Sequence, residues 1–196
     1  MNNPMGQRKM IGGTILWFVL ALIAGASGLT LNLVPPFPQI VLFGLFLFLL
    51  LLFWFSRGFR RSILNADIRA LVGVHVTRFV GFYFLYLYSL NLLPYDFAVI
   101  GGWGDIIVAL GALFLVLFVP PIGKVGVLTY SLWNLIGLID ILFVVVTATR
   151  LATSDPQSMS ELLKLPLSLL PTFLVPIIIF THIVIFIKLY NIQRRA

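Results

Sequence analysis

Long apolar stretches alternate with short polar connections along the whole chain. A transmembrane helix needs about 20 predominantly apolar residues to cross a hydrocarbon core of roughly 30 Å. Six stretches come near that length, and we predict that each is a membrane-spanning helix: Ile11–Leu29, Gln39–Phe55, Ala70–Leu90, Phe97–Val119, Val125–Thr149 and Leu167–Tyr190. The predicted fold class is an all-α polytopic membrane protein, with one helical-bundle domain over residues 1–196.

The connections contain the residues that end helices or lie at a membrane surface. The longest connection, Arg150–Leu165, is polar, and Ser160–Leu165 within it has the pattern of one amphipathic turn on the membrane surface. The Leu/Phe run Leu45–Phe55 has no polar side chain and is predicted to face lipid. Three prolines predict an irregular outer half of the last helix: Pro166, Pro171 and Pro176.

Composition supports a membrane protein rather than a soluble one. Of the 196 residues, 61% are hydrophobic and 10% are charged, whereas soluble domains carry about 25% charged residues. The net charge of +7 is compatible with nucleic acid, but the basic residues lie in short clusters between apolar runs, so we expect no nucleic-acid partner. Because the chain has no cysteine, disulfides and thiolate metal sites are excluded.

The distribution of Lys and Arg predicts the orientation in the membrane, because basic residues concentrate on the cytoplasmic side. With six spans, only Arg150 and Lys164 fall on one side of the membrane. The other side would carry ten basic residues: Arg8, Lys9, Arg57, Arg60, Arg61, Arg69, Lys124, Lys188, Arg194 and Arg195. Both termini are therefore predicted to be cytoplasmic.

A few charged residues fall inside the predicted spans, where charge is costly and normally faces the bundle interior. At 1.5 Å per residue, Arg78 lies about 12 Å in from Ala70, and Asp105 lies about 12 Å in from Phe97. The two side chains can therefore meet near the midplane, where pairing offsets the cost of burying each charge. Asp140 either shares Arg78 with Asp105 or carries a proton.

Two interpretations of this pair are open. An Arg–Asp pair can simply clamp two helices together, or it can bind a ligand or a proton. In the second case Arg78, Asp105, Asn134 and Asp140, with His182 nearby, form a buried centre that binds or translocates a small polar or anionic solute or a proton. The guanidinium would hold an anionic group, and the carboxylates would take up and release protons.

The only two histidines support an alternative function. His75 and His182 are predicted at similar depth near the cytoplasmic side, as the two axial ligands of a haem b would be. The protein would then be a redox or accessory membrane subunit. Zinc has less support, because structural zinc sites use four ligands and catalytic sites use three.

A third hypothesis is an intramembrane enzyme that acts on lipid, with a lateral opening near Asp105 or Asp140. No phosphate-binding loop, zinc-protease motif or activated nucleophile stands out in the sequence. A function other than catalysis is therefore favoured. Besides the lipid bilayer, the expected partners of so small a chain are further copies of itself or other membrane subunits.

Several local patterns resemble a group of small bacterial six-helix inner-membrane proteins that have no established activity. The patterns span about two thirds of the chain: Arg78 with Gly81, Leu93–Pro94 to Phe97–Ala98, Gly104–Asp105, Trp133–Asn134 with Gly137 and Asp140, Leu165–Pro166 to Val175–Pro176, and His182. The resemblance implies a multi-pass protein of a bacterial inner membrane. It implies no activity, substrate or cofactor.

Overall fold

A computed structural model describes residues 4–194 of the chain, so Arg195, one of the basic residues that predict the orientation, lies outside the described residues. The described part is helical and contains no strand. Six of its helices are long and apolar enough to cross a membrane: Arg8–Ala26, Phe37–Phe55, Ile68–Ser89, Asp96–Phe118, Gly123–Ser154 and Leu170–Gln193. The predicted all-α fold and the number of long apolar helices are confirmed.

Three of these six spans change helix type along their length. Residues 4–194 contain eight α-helices: α1 Pro4–Ala26, α2 Phe37–Phe55, α3 Arg57–Asn65, α4 Ile68–Gly73, α5 Val80–Ser89, α6 Gly102–Phe118, α7 Gly123–Ser154 and α8 Val175–Gln193. Segments of 3-10 helix occupy Leu29–Asn32, Val74–Phe79 and Pro156–Leu163. Segments of π-helix occupy Asp96–Gly101 and Leu170–Leu174. The third, fourth and sixth spans thus contain tighter or wider turns that an apolar stretch of sequence does not distinguish from regular α-helix.

The predicted connections contain more helix than expected. The connection between the second and third spans includes α3. In the predicted connection Arg150–Leu165, α7 first continues to Ser154, and the 3-10 segment Pro156–Leu163 then replaces the single predicted turn. The predicted irregularity before α8 is present as the π segment, which contains Pro171.

The described chain divides into two compact units, of which the first comprises residues 4–66 and 151–180. In this unit α1 is attached to the π segment, because the indole Nε1 of Trp17 donates to the carbonyl of Thr172 at 2.9 Å. A glycine permits a second close contact, since a Cβ on Gly25 would lie 2.6 Å from the hydroxyl of Ser168.

The helix α2, also in the first unit, is exposed or half-buried over most of its length. One stripe alone is buried, at the helical spacing of Leu42, Leu49 and Phe53. The helix α2 packs against the π segment Leu170–Leu174. Within the Leu/Phe run five of the eleven residues are exposed and two, Leu49 and Phe53, are buried, so only part of this run can face lipid.

The second unit comprises residues 67–150 and 181–194. It is organised by an antiparallel pairing of the fourth span with α7. The opposed residues are Asp96 and Arg150, Gly101 and Val144, Gly104 and Asp140, Val108 and Gly137, Gly111 and Trp133, and Pro120 and Gly126. Glycines recur on this face of the fourth span because small residues let helices approach closely.

The third span packs against the fourth through glycines as well. A Cβ on Gly81 would overlap the carbonyl oxygen of Gly102, so the two helix backbones are in contact. One turn earlier, the 3-10 segment Val74–Phe79 packs against α6. In a 3-10 helix, side chains three residues apart eclipse each other. His75 and Arg78 therefore point the same way, and both are buried.

Candidate functional site

Arg78 is the centre of a buried ion-pair network in the second unit. Its side chain is 1% exposed. Nε donates to Asp105 Oδ1 at 2.6 Å, Nη1 donates to the carbonyl of Gly137 at 2.9 Å, and Nη2 donates to Asp140 Oδ2. One guanidinium thus holds two carboxylates and ties together the third span, α6 and α7. The predicted meeting of Arg78 with Asp105 is present, and Asp140 shares the same guanidinium.

The two carboxylates differ in exposure. The side chain of Asp105 is 4% exposed, and that of Asp140 is 17% exposed. Asp140 reaches Arg78 across Gly104, where any Cβ would overlap the Asp140 carboxylate. Gly104 is therefore a requirement of the site. With both carboxylates ionised, the three groups carry a formal charge of −1 in a nearly dry environment.

Asn134 and His182 form a second, reciprocal pair in the same unit. Asn134 Nδ2 donates to the backbone carbonyl of His182 at 3.0 Å, which fixes the orientation of the amide. Asn134 Oδ1 must then accept, and it lies 2.8 Å from His182 Nδ1. The proton of the neutral imidazole is therefore on Nδ1, and Nε2 carries a lone pair. Both residues are completely buried.

His75 packs beside the rings of His182 and Trp133. Its Nε2 lies 3.2 Å from Thr181 Oγ1, and its ring centroid is 4.2 Å from that of His182. The indole of Trp133 meets His75 edge-on at 5.1 Å. Among the described residues, neither His75 Nδ1 nor His182 Nε2 has a hydrogen-bond partner, although both atoms are buried. A buried polar atom without a hydrogen-bond partner is rare in a protein core, so these two nitrogens are candidates for a functional role.

Gly137 contacts both the Arg78 network and the ring of His182. Its carbonyl accepts the hydrogen bond from Arg78 Nη1, and a Cβ on it would lie 2.8 Å from His182 Cε1 and 3.4 Å from His182 Nε2. The structure therefore brings all six predicted site residues into one group, which we call the polar cluster: His75, Arg78, Asp105, Asn134, Asp140 and His182.

Haem ligation by the two histidines requires a different arrangement of the rings. Axial ligands occupy opposite faces of the porphyrin, whereas the rings of His75 and His182 are in direct contact. Within residues 4–194, no three His, Cys, Asp or Glu side chains are grouped closely enough to hold a metal ion. The haem hypothesis stays a prediction, and it now requires the two rings to separate.

An open groove of about 640 Å³ lies beside the exposed ion pair between Arg150 and Asp96, whose charged atoms are 2.7 Å apart. Its walls are mainly apolar residues of α7 and the preceding span: Ile100, Ile139, Leu142, Phe143 and Val146. Neither Asp105 nor Asp140 lines it. The groove therefore does not reach the two aspartates near which a lipid-acting enzyme was expected to open, and that hypothesis stays a prediction.

Sequence reasoning missed the parts of the site that have no ionisable side chain. The carbonyl of Gly137 and the hydroxyl of Thr181 are polar partners that composition does not reveal. The 3-10 turn that aligns His75 with Arg78 was also missed. Their spacing of three residues was the available signal, but it is compatible with α-helix too.

The chain belongs to the family described as Domain of unknown function (DUF8737), whose model matches residues 35–190. The matched range contains every residue of the polar cluster. No curated protein and no solved structure matches the chain.

Proposed function

We propose that this member of the DUF8737 family is a membrane-embedded protein that binds a proton at the polar cluster and passes it across the bilayer. Two features support the membrane setting. The structure has six helices of membrane-spanning length and apolarity, and large apolar side chains such as Trp54 and Phe118 are about 70% exposed. Lipid, not water, is the environment that such a surface favours.

The charge balance of the Arg78 network is the observation that carries the proposal. Two carboxylates share one guanidinium in a site from which water is nearly excluded. An uncompensated charge is expensive there, and one added proton makes the network neutral. Uptake of a single proton is therefore the simplest chemical change that this site can undergo.

Asp140 is the group that exchanges the proton with the surroundings. Its side chain is about four times as exposed as that of Asp105. Asp105, which is held by Nε of Arg78 at 2.6 Å, remains the ionised partner. Protonation of Asp140 weakens its bond to Nη2, because a neutral carboxyl is a poorer acceptor than a carboxylate.

His182 offers the proton a second position with the same total charge. Its Nε2 is a lone-pair acceptor beside Gly137, whose carbonyl is bonded to Arg78. When the proton moves from Asp140 to His182 Nε2, the positive groups are Arg78 and His182 and the negative groups are Asp105 and Asp140. The cluster therefore stays neutral. The contact between the rings of His182 and His75 continues this path toward the predicted cytoplasmic side.

A small anion is the second candidate ligand. All three guanidinium nitrogens of Arg78 already donate hydrogen bonds, so an anion must displace a carboxylate. Asp140 is the displaceable one, because it is the more exposed and it occupies the space that Gly104 leaves. A proton on Asp140 would thus favour anion binding at Nη2, which couples the two ligands.

The proposed setting is a multi-pass protein of a bacterial inner membrane with both termini in the cytoplasm. The uneven distribution of Lys and Arg between the two sides supports this orientation. An Arg78–Asp105 pair that clamps two helices together is compatible with proton binding, since ion pairs that bind a proton can also hold helices together.

Proton flux into vesicles tests the proposal. Purified protein is reconstituted in liposomes containing a pH-sensitive dye, and a pH step is applied with the membrane potential clamped by potassium and valinomycin. Wild-type protein should raise the flux above that of empty liposomes, and Asp140→Asn should lower it at least about tenfold. The matched control is Asp96→Asn, which removes an exposed carboxylate from the same span as Asp105.

Equal flux in wild-type and Asp140→Asn vesicles would contradict the proposal. A protein-dependent flux that appears only when a small anion of a strong acid, such as nitrate, is present would favour the anion-coupled candidate. An absorption spectrum of the same preparation, made from cells with ample haem, tests the haem hypothesis through its Soret band.

A further inference from the structure

The helix α3 presents a row of arginines that the proton site does not use. Arg57, Arg60 and Arg61 are spaced three and four residues apart, which places them on one helical face. All three side chains are exposed. The hydroxyl of Ser56 caps the helix by accepting from the backbone N–H of Phe59 at 3.3 Å.

The opposite face of α3 packs against other residues of the first unit, to which α3 belongs. Ser62 and Ile63 are buried, and the ring of Phe59 lies 6.0 Å from that of Phe180, centroid to centroid. The second aromatic contact of Phe180 is with Phe53 of α2, also at 6.0 Å. The rotation of α3 about its axis is therefore set by packing, and this packing directs the arginines outward.

The charge on this face is not compensated within the described chain. The helix α3 contains no Asp or Glu. Among residues 4–194, none of the three arginines takes part in an ion pair. Three exposed arginines thus lie within five residues of one helix without a carboxylate partner among the described residues, which is a surface that attracts anions.

The position of α3 along the chain indicates where those anions are. It directly follows α2, an uninterrupted apolar helix that ends in Trp54 and Phe55, which are 68% and 82% exposed. Aromatic side chains followed by basic ones are typical of a membrane–water interface. An amphipathic helix at that point lies in the plane of the interface with its polar face toward the headgroups.

We propose that the arginine face of α3 (Arg57, Arg60 and Arg61) is a binding site for the phosphate groups of anionic phospholipids. Guanidinium groups bind phosphate oxygens with paired N–H donors, so they are better suited than ammonium groups to this ligand. The inference is independent of the proton site, and it requires only that α2 crosses the membrane.

Lipid retention in native mass spectrometry tests the proposal. The full-length protein in detergent is mixed with equal amounts of phosphatidylglycerol and phosphatidylcholine of the same acyl chains, and the bound lipids are counted. Wild-type protein should retain phosphatidylglycerol preferentially. The triple variant Arg57→Gln, Arg60→Gln, Arg61→Gln should lose the preference, with at least about tenfold weaker retention, since each basic residue contributes a few-fold.

Two further variants make the result specific. The control Arg8→Gln, Lys9→Gln, Lys124→Gln removes three exposed positive charges elsewhere and should keep the preference. Replacement of the three α3 arginines by lysine keeps the charge and should reduce retention only partly. The proposal is overturned if the glutamine variant retains phosphatidylglycerol as wild type does, or if the control loses it equally.

Discussion

Gly104 and Asp140 illustrate how one residue without a side chain makes room for a charge. The Asp140 carboxylate occupies the volume that a Cβ on Gly104 would fill, and from there it reaches Arg78. The two helices also approach at Gly101 and Gly111, but there the neighbours are the apolar side chain of Val144 and the indole of Trp133. Only at Gly104 does the close approach serve an ion pair.

Substitution of Gly104 should therefore be costly. Gly104→Ala is expected to displace the Asp140 carboxylate and lower the free energy of unfolding by about 1–3 kcal/mol, the usual cost of overpacking. The matched control is Gly73→Ala in the same unit, where a Cβ would meet nothing within 4 Å. Thermal unfolding in detergent, followed by circular dichroism, should show a lower Tm for Gly104→Ala alone. Equal Tm values would mean that Asp140 is not held where the structure has it.

The hydrogen bonds of Asn134 lead to a prediction about the tautomer of His182. Because Asn134 Oδ1 can only accept, His182 should carry its proton on Nδ1. The ¹⁵N chemical shifts of the imidazole, assigned by comparison with His182→Gln, distinguish this tautomer from the Nε2-protonated form. Asn134→Leu should remove the preference for Nδ1. An Nε2-protonated His182 in wild-type protein would refute the proposed acceptor.

At the scale of elements, the sequence predicted the number of long helices but not the geometry inside them. Apolar length is a property of composition, and the six spans follow from it. The 3-10 segment Val74–Phe79 and the π segment Asp96–Gly101 depend on how neighbouring helices meet, which no single stretch of sequence contains. Irregular turns of this kind often occur at functional sites, and both are in spans that contribute to the Arg78 network.

The antiparallel register of the fourth span and α7 is testable because the chain has no cysteine. In the double variant Gly101→Cys, Val144→Cys, the two thiols replace groups in direct contact, since a Cβ on Gly101 would lie 3.1 Å from Val144 Cγ2, close enough for a disulfide. Mild oxidation should cross-link most of this protein. The control pair Gly101→Cys, Leu132→Cys places the second thiol about 18 Å away along α7. Similar cross-linking of both pairs would rule out the register.

At the scale of the whole molecule, depth and charge were the useful sequence signals. Counting residues from the ends of the spans predicted that Arg78 and Asp105 meet, and their side chains do meet at 2.6 Å. Counting also put His75 and His182 at similar depth, and their rings are in contact. Depth alone did not reveal whether Asp140 shares Arg78, because the rotation of α7 depends on its packing against the fourth span.

The proposed membrane setting would account for the clustering of the few buried polar residues in one place. Most of the long helical surface is apolar, and the exposed part includes large side chains on every span. Polar side chains in such helices gain most by bonding to one another, because the surroundings offer no alternative partner. The polar cluster follows this rule except at His75 Nδ1 and His182 Nε2, which lack partners within the described chain. Of these two atoms His182 Nε2 carries a lone pair, so a proton can be added there without breaking an existing bond.

Infrared spectroscopy of the protein during a pH titration tests the central claim most directly, because the C=O stretch of a neutral carboxyl is separate from the bands of a carboxylate. As pH falls, wild-type protein in liposomes should gain one band from a buried carboxylic acid, identified by its small shift in D₂O. Asp140→Asn should abolish this band, and Asp96→Asn should leave it unchanged. A wild-type spectrum without the band, or a band that persists in Asp140→Asn, would contradict proton binding at Asp140.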